Sequence, residues 1–160
     1  LLKRKGLNVE NLREIGENKL IAKSLGTTVN KYHFKNYPER MRFLKSMSEL
    51  IGKIHELGYF HGHAHSKNVT WNGKKAGLID NKEITFNDKT HSVWNTEELA
   101  FEFIRAVELS MGTSTLGDVL FLTNQEKRFF IQNAIKQYSN ISDEQKKELA
   151  STIFKKLNID

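Results

Sequence analysis

Apolar residues recur at spacings of three and four through Met41, Leu44, Met47, Ile51 and Ile54, the period of one buried helix face. Pro38 suits a first helical turn, where its missing N–H has no partner to lose, and Gly58 follows the last apolar position. The spacing therefore predicts a long helix between these two residues. Ahead of it, "NLREIGENKLIAKSLG" holds two short runs separated by Gly16, Glu17 and Asn18, the turn chemistry of a hairpin. Behind it, "NVTWNGKKAGLID" places Asn72-Gly73 between two short apolar runs and predicts a second hairpin whose last run ends at Asp80. "EITF" has the composition of a further strand.

The remainder is helical in pattern, and each start carries a cap signature. Asn95 with Glu98, Thr123 with Glu126, and Ser142 with Gln145 have the spacing at which one side chain caps a free N–H and the other reaches back. Leu99, Phe103, Ala106, Val107 and Ser110 share a face of the first helix; Phe130, Ala134, Ile135 and Tyr138 line the second; Leu149, Ile153 and Leu157 line the third. Hairpin, long helix, loop, hairpin and helical bundle make an α+β order rather than an alternating parallel sheet.

Composition narrows the function classes. At 160 residues with 38% apolar positions the chain suits one packed domain. The absence of cysteine rules out disulfides, thiolate metal sites and a thiol nucleophile, and leaves the cytoplasm as the expected compartment. No apolar run approaches the roughly 20 residues of a membrane span. The net charge of +6 comes from scattered Lys and Arg, with no basic stripe interleaved with aromatics, so specific nucleic-acid binding is not expected.

The chemistry concentrates in "FHGHAHSKNV", residues 60–69, between the long helix and the second hairpin. The stretch "IHELGYFHGHAHSKNVTWNGKKAGLID" resembles the catalytic loop and metal-binding strand of the protein-kinase-like superfamily. It is most similar to the atypical bacterial lipopolysaccharide and sugar kinases, whose pattern is H-G-D-x-H-x-x-N, a short hairpin, then a hydrophobic pair before D. His61, Gly62, His65, Asn68 and Leu78-Ile79-Asp80 match that pattern; His63 stands where the family carries its catalytic Asp. The resemblance implies a mainly helical C-lobe over residues 30–160, and an N-lobe remnant with the hinge over residues 1–29. It implies that Asn68 and Asp80 are the Mg²⁺ ligands beside ATP, that His61 supports the loop, and that His65 lies near the transferred phosphate. Ser24, Leu25 and Gly26 would then be the hinge that holds adenine through backbone groups.

Three departures shape the functional expectation. His63 replaces the catalytic Asp, Asn81 follows Asp80 where a large apolar group is usual, and the residues before 12 leave no room for a glycine-rich loop, strand Lys and helix Glu. A neutral imidazole accepts a proton and has a suitable reference pKa of about 6.5, but it brings no negative charge beside Mg²⁺. The expectation is a degenerate kinase, truncated or a pseudokinase, that binds ATP and Mg²⁺ weakly. The alternative is an active minimal kinase completed by a partner protein or by upstream sequence, phosphorylating a sugar, lipopolysaccharide or protein hydroxyl. A rival from another class is a zinc hydrolase in which His61, His63 and His65 alternate along an extended strand and share one face, with Asp80 as a further ligand. The plainest reading makes the histidines polar loop residues that satisfy the nearby backbone, as is expected of His33, His55 and His91.

Overall fold

In the computed structural model, which describes residues 6–9, 12–14, 20–22, 24–80, 85–86, 99–100, 102–103 and 122–159, the expected long helix is α1, Tyr37–Glu56. Asn36 starts it by accepting the N–H of Glu39 on its side-chain oxygen at 2.9 Å, with Pro38 in the first turn. Leu57 closes it, and Gly58, at φ +81°, turns the chain away in the left-handed conformation that glycine adopts without a steric penalty. The apolar stripe is buried as its period requires: Leu44, Met47, Ile51 and Ile54 are all in the core, and Met41 packs at its edge.

Strands β1 (Leu12–Glu14) and β2 (Leu20–Ala22) pair antiparallel, as the first hairpin predicts; Gly16, Glu17 and Asn18 lie outside the described residues. β3 (Thr27–Thr28) is followed by a single 3-10 turn, Val29–Lys31. β4 (Tyr59–Phe60) follows α1 directly. β5 (Val69–Trp71) and β6 (Ala76–Leu78) form the second hairpin, and β3 joins β5 to make a three-stranded antiparallel sheet of order β3-β5-β6. β7 (Thr85–Phe86), within "EITF", pairs with β4. The open edge of β6 is met by the N-terminal segment, where Leu78 N–H donates to the Asn8 carbonyl at 3.1 Å.

The second hairpin turns one residue later than Asn72-Gly73 suggests. Trp71 pairs with Ala76, and Asn72 N–H reaches the Lys75 carbonyl at 3.4 Å, so Gly73 and Lys74 occupy the turn itself. Asn72 still directs it, because its side-chain oxygen accepts the N–H groups of Lys74 at 3.0 Å and Lys75 at 2.8 Å. Gly73 supplies the positive φ, +87°.

Two further helices close the core: α2 (Asn124–Ile135) and α3 (Asp143–Lys156). Two of the three expected cap pairs are present as capping boxes, Thr123 with Glu126 and Ser142 with Gln145. Phe130, Ala134, Ile135 and Tyr138 are buried on one side of α2 and its following turn; Ile153 on α3 and Leu157 at its C-cap are buried, while Leu149 is only partly buried against the core. α1 and α2 approach so closely at Gly52 that a Cβ there would overlap the Ala134 carbonyl. Arg40 adds a two-pronged ion pair to Glu126 across the same helix pair, at 2.7 and 2.9 Å. Of the helix expected from Asn95, residues 99–100 and 102–103 are described and helical, with Leu99 and Phe103 in the core. Asn95, Glu98, Ala106, Val107, Ser110 and His91 lie outside the described residues. No helix among the described residues is long and apolar enough to cross a membrane.

Candidate functional site: the histidine loop

The loop from His61 to Asn68 leaves β4 and enters β5, and its shape comes from backbone hydrogen bonds rather than from a ladder. Gly62 takes φ +74°, which turns the chain immediately after His61. His65 N–H donates to the His63 carbonyl at 2.8 Å. The His65 carbonyl in turn accepts from Asn68 N–H at 2.8 Å and Val69 N–H at 3.0 Å. Ser66 is tied outward by Asn30 N–H, at 3.1 Å.

The three histidines are consequently not presented alike. His61 is completely buried, Ala64 likewise, while His63 and His65 are half-buried with ring centroids 5.2 Å apart, edge to face. The alternation expected for a zinc site requires an extended strand, and the turn at Gly62 removes it. Among the described residues, which include His61, His63, His65 and Asp80, no three His, Cys, Asp or Glu side chains converge on a point a metal ion could occupy.

Asn68 is the polar centre of the loop. It is buried; its side-chain N–H₂ donates to the His63 carbonyl at 3.1 Å and faces His65 Nε2 at 3.3 Å. Its amide nitrogen is thus spent inward, and its side-chain oxygen makes no hydrogen bond among the described residues. Lys67 N–H faces the other ring nitrogen of His65 at 3.3 Å; a neutral imidazole accepts at only one nitrogen, so the two approaches compete.

Asp80 reaches the same end of the hairpin. Val69 pairs with Leu78, and one step further Ile79 N–H donates to the Asn68 carbonyl at 2.9 Å. Asp80 follows at once, exposed, with φ +56°. Asp and Asn are the non-glycine residues that most readily adopt this left-handed conformation, and Asn158, at φ +50° after α3, does the same. Ser24, Leu25 and Gly26 link β2 to β3, where the Leu25 carbonyl accepts the Thr70 hydroxyl at 3.3 Å. Gly26, at φ +124°, lies so close to β5 that a Cβ would overlap the Trp71 carbonyl.

The residue that sequence reading missed is Glu102. Almost fully buried, its carboxylate accepts His61 N–H at 2.9 Å and Gly62 N–H at 3.0 Å, and so holds the first turn of the loop. Nε2 of His55 lies 3.8 Å away, and Nδ1 of the same ring meets the Tyr138 hydroxyl at 2.8 Å. Burial alone would push the Glu102 carboxyl up; His55 and the two loop N–H groups outweigh it and hold the group below its ordinary value, as an anion. Burial pushes the Tyr138 hydroxyl far upward, so it stays protonated. His55, expected to be an ordinary polar residue, is instead a completely buried link between α1, Tyr138 and the loop anchor. The signal was present in "LAFEFI", where one acidic residue interrupts an apolar run: a buried charge of this kind must be paired.

Compared with protein-family models and with curated proteins, the sequence matches none.

Proposed function

We propose that the chain is the mainly helical lobe of a kinase-like phosphotransferase fold, with β1 and β2 as the last hairpin of a smaller lobe, and that it is catalytically degenerate. The observation that supports the reading is the backbone register at one end of the β5–β6 hairpin, where the Ile79 to Asn68 bond sets Asp80 one residue beyond the partner of Asn68. The Asn68 side-chain oxygen, which makes no hydrogen bond among the described residues, and the exposed Asp80 carboxylate are hard oxygen donors, the type that suits Mg²⁺. When bound, Mg²⁺ neutralises charge on the phosphates of ATP. The protein's own part is positional: Glu102 fixes the turn after His61, and Asn68 ties the His63 carbonyl to β5. His63 is the reason for degeneracy, because an imidazole gives neither the anion nor the carboxylate geometry that orients a substrate hydroxyl. A partner or additional sequence that supplies the rest of the small lobe would complete the phosphate site.

The test is His63→Asp in a protein provided with a small lobe. ATP hydrolysis or phosphoryl transfer should rise above the wild type, and the 160-residue chain alone should bind Mg²⁺–ATP weakly in calorimetry. Affinity of the chain alone tighter than about 1 μM, or no gain of transfer on His63→Asp, would overturn the reading. Stoichiometric zinc that disappears on His63→Ala would favour the metal hydrolase instead.

A further inference from the structure

A second feature lies away from the histidine loop, between α1, the β5–β6 turn and the N-terminal segment at residues 6–8: a groove of about 390 Å³. Arg42, Lys45, Glu49 and Lys53 follow one another at helical spacing along its α1 wall, and Lys74 and Lys75 face them from the turn. Arg42, Lys53, Lys74 and Lys75 make no ion pair among the described residues, and Lys45 meets Glu49 only at 4.0 Å. Among the described residues, five cations thus surround one carboxylate. The walls are fixed: Ala76 N–H donates to Ser46 Oγ at 2.9 Å, Asn8 Nδ2 donates to the Ala76 carbonyl at 2.7 Å, and Asn72 holds the turn that presents both lysines. Five like charges held on one frame with a single carboxylate among them repel one another, and an anion lying between them relieves that repulsion.

The geometry points to an extended acidic segment of a partner protein as the occupant. Arg42 and Lys53 lie about 16 Å apart along the helix axis, at 1.5 Å per residue. That is the length of about five extended residues and too long for a single phosphate group. Glu49, in the middle of the cationic row, repels a ligand that is negative along its whole length, such as polyphosphate; a peptide can set an uncharged side chain opposite it. No aromatic side chain lines the groove among the described residues, so there is no surface on which nucleic-acid bases stack. The inference rests on the groove's own charges and stands whether or not the kinase-like reading does.

Fluorescence anisotropy on the 160-residue chain decides it, with a labelled peptide alternating glutamate and serine as probe, and inorganic tripolyphosphate and oligothymidine as competitors. The peptide should bind at low salt and weaken as salt is added. Lys74→Glu with Lys75→Glu should lower its affinity by about tenfold or more, while the melting temperature stays near that of the wild type because both side chains are exposed. Glu49→Gln should raise tripolyphosphate affinity more than peptide affinity. No peptide binding at low salt, an unchanged affinity in the double variant, or displacement of the peptide at lower concentrations of tripolyphosphate or oligothymidine than of unlabelled peptide would overturn the inference.

Discussion

The α1–α2 contact and the histidine loop differ in how much apolar packing supports their polar contacts. The middle of the helix contact is apolar: Ile51, Ile54, Ile131 and Ala134 are completely buried and Gly52 lets two backbones touch, with the Arg40–Glu126 ion pair and the Asn133 Nδ2 to Ser48 Oγ hydrogen bond beside it. Many small dispersion and burial terms share the load, each tolerant of modest chemical change and intolerant of added volume. The loop has little apolar surface to bury. Its first turn depends on one carboxylate, Glu102, that satisfies two N–H groups at once. The helical region therefore breaks through shape and the loop through charge.

The largest effect should come from overfilling the helix contact. Gly52→Val puts side-chain atoms where the Ala134 carbonyl lies, and only separation of α1 from α2 can relieve the overlap. A loss of about 3 kcal/mol or more is expected in urea unfolding; an unchanged midpoint would mean that the two helices are not in this contact. Because the core is shared, this substitution should loosen the whole molecule.

Glu102→Gln sharpens the comparison from the other side. The replacement keeps the volume, removes the charge and halves the acceptor capacity, so about 1–3 kcal/mol should be lost. The amides of His61 and Gly62 should exchange faster with solvent, while those of α1 and α2 keep their protection relative to global unfolding. The same group sets a pH dependence. Its folded-state pKa lies below the unfolded value, so its contribution is fully present above the ordinary glutamate range and is lost as pH falls through the folded value. The wild type should lose stability more steeply than Glu102→Gln as the pH falls below about 4.3. Parallel curves would show that the carboxylate does not hold the loop as an anion.

The smallest effect belongs to the caps. Thr123→Ala removes the oxygen that accepts Glu126 N–H at 3.2 Å, and should cost about 1 kcal/mol in thermal or urea unfolding. Ser142→Ala, at an exposed helix start, should cost less. If Ser142→Ala proves the costlier of the two, α3 is a more independent support of the fold than its position at the edge of the core implies.

What could be read from the chain alone follows local rules. α1 was visible because a helix face repeats every three or four residues whatever packs on it, and the buried positions Leu44, Met47, Ile51 and Ile54 are the ones that period selects. The capping boxes at Thr123 and Ser142 were legible for a similar reason: donor and acceptor lie three residues apart, so no distant residue is needed to complete them. Asn72-Gly73 marked a hairpin, although the turn settled one residue later because the pairing of Val69 with Leu78 and Trp71 with Ala76 sets the register. The histidine loop was legible only as a concentration of chemistry. Alternation suggested a shared face, but alternation has that meaning only in extended backbone, and Gly62 turns instead.

Local spacing by itself determined the α+β order of elements, the face of α1 that is buried and the place of the loop between helix and hairpin. The tertiary structure alone decided which groups meet across long stretches of chain: Glu102 on His61 and Gly62, Tyr138 on His55, Arg40 on Glu126, and Arg42 and Lys53 opposite Lys74 and Lys75. These partners lie from about twenty to more than eighty positions apart, and no periodicity links them. Periodicity records which side of an element avoids water; the partner of a buried charge depends on which elements the folded core brings together.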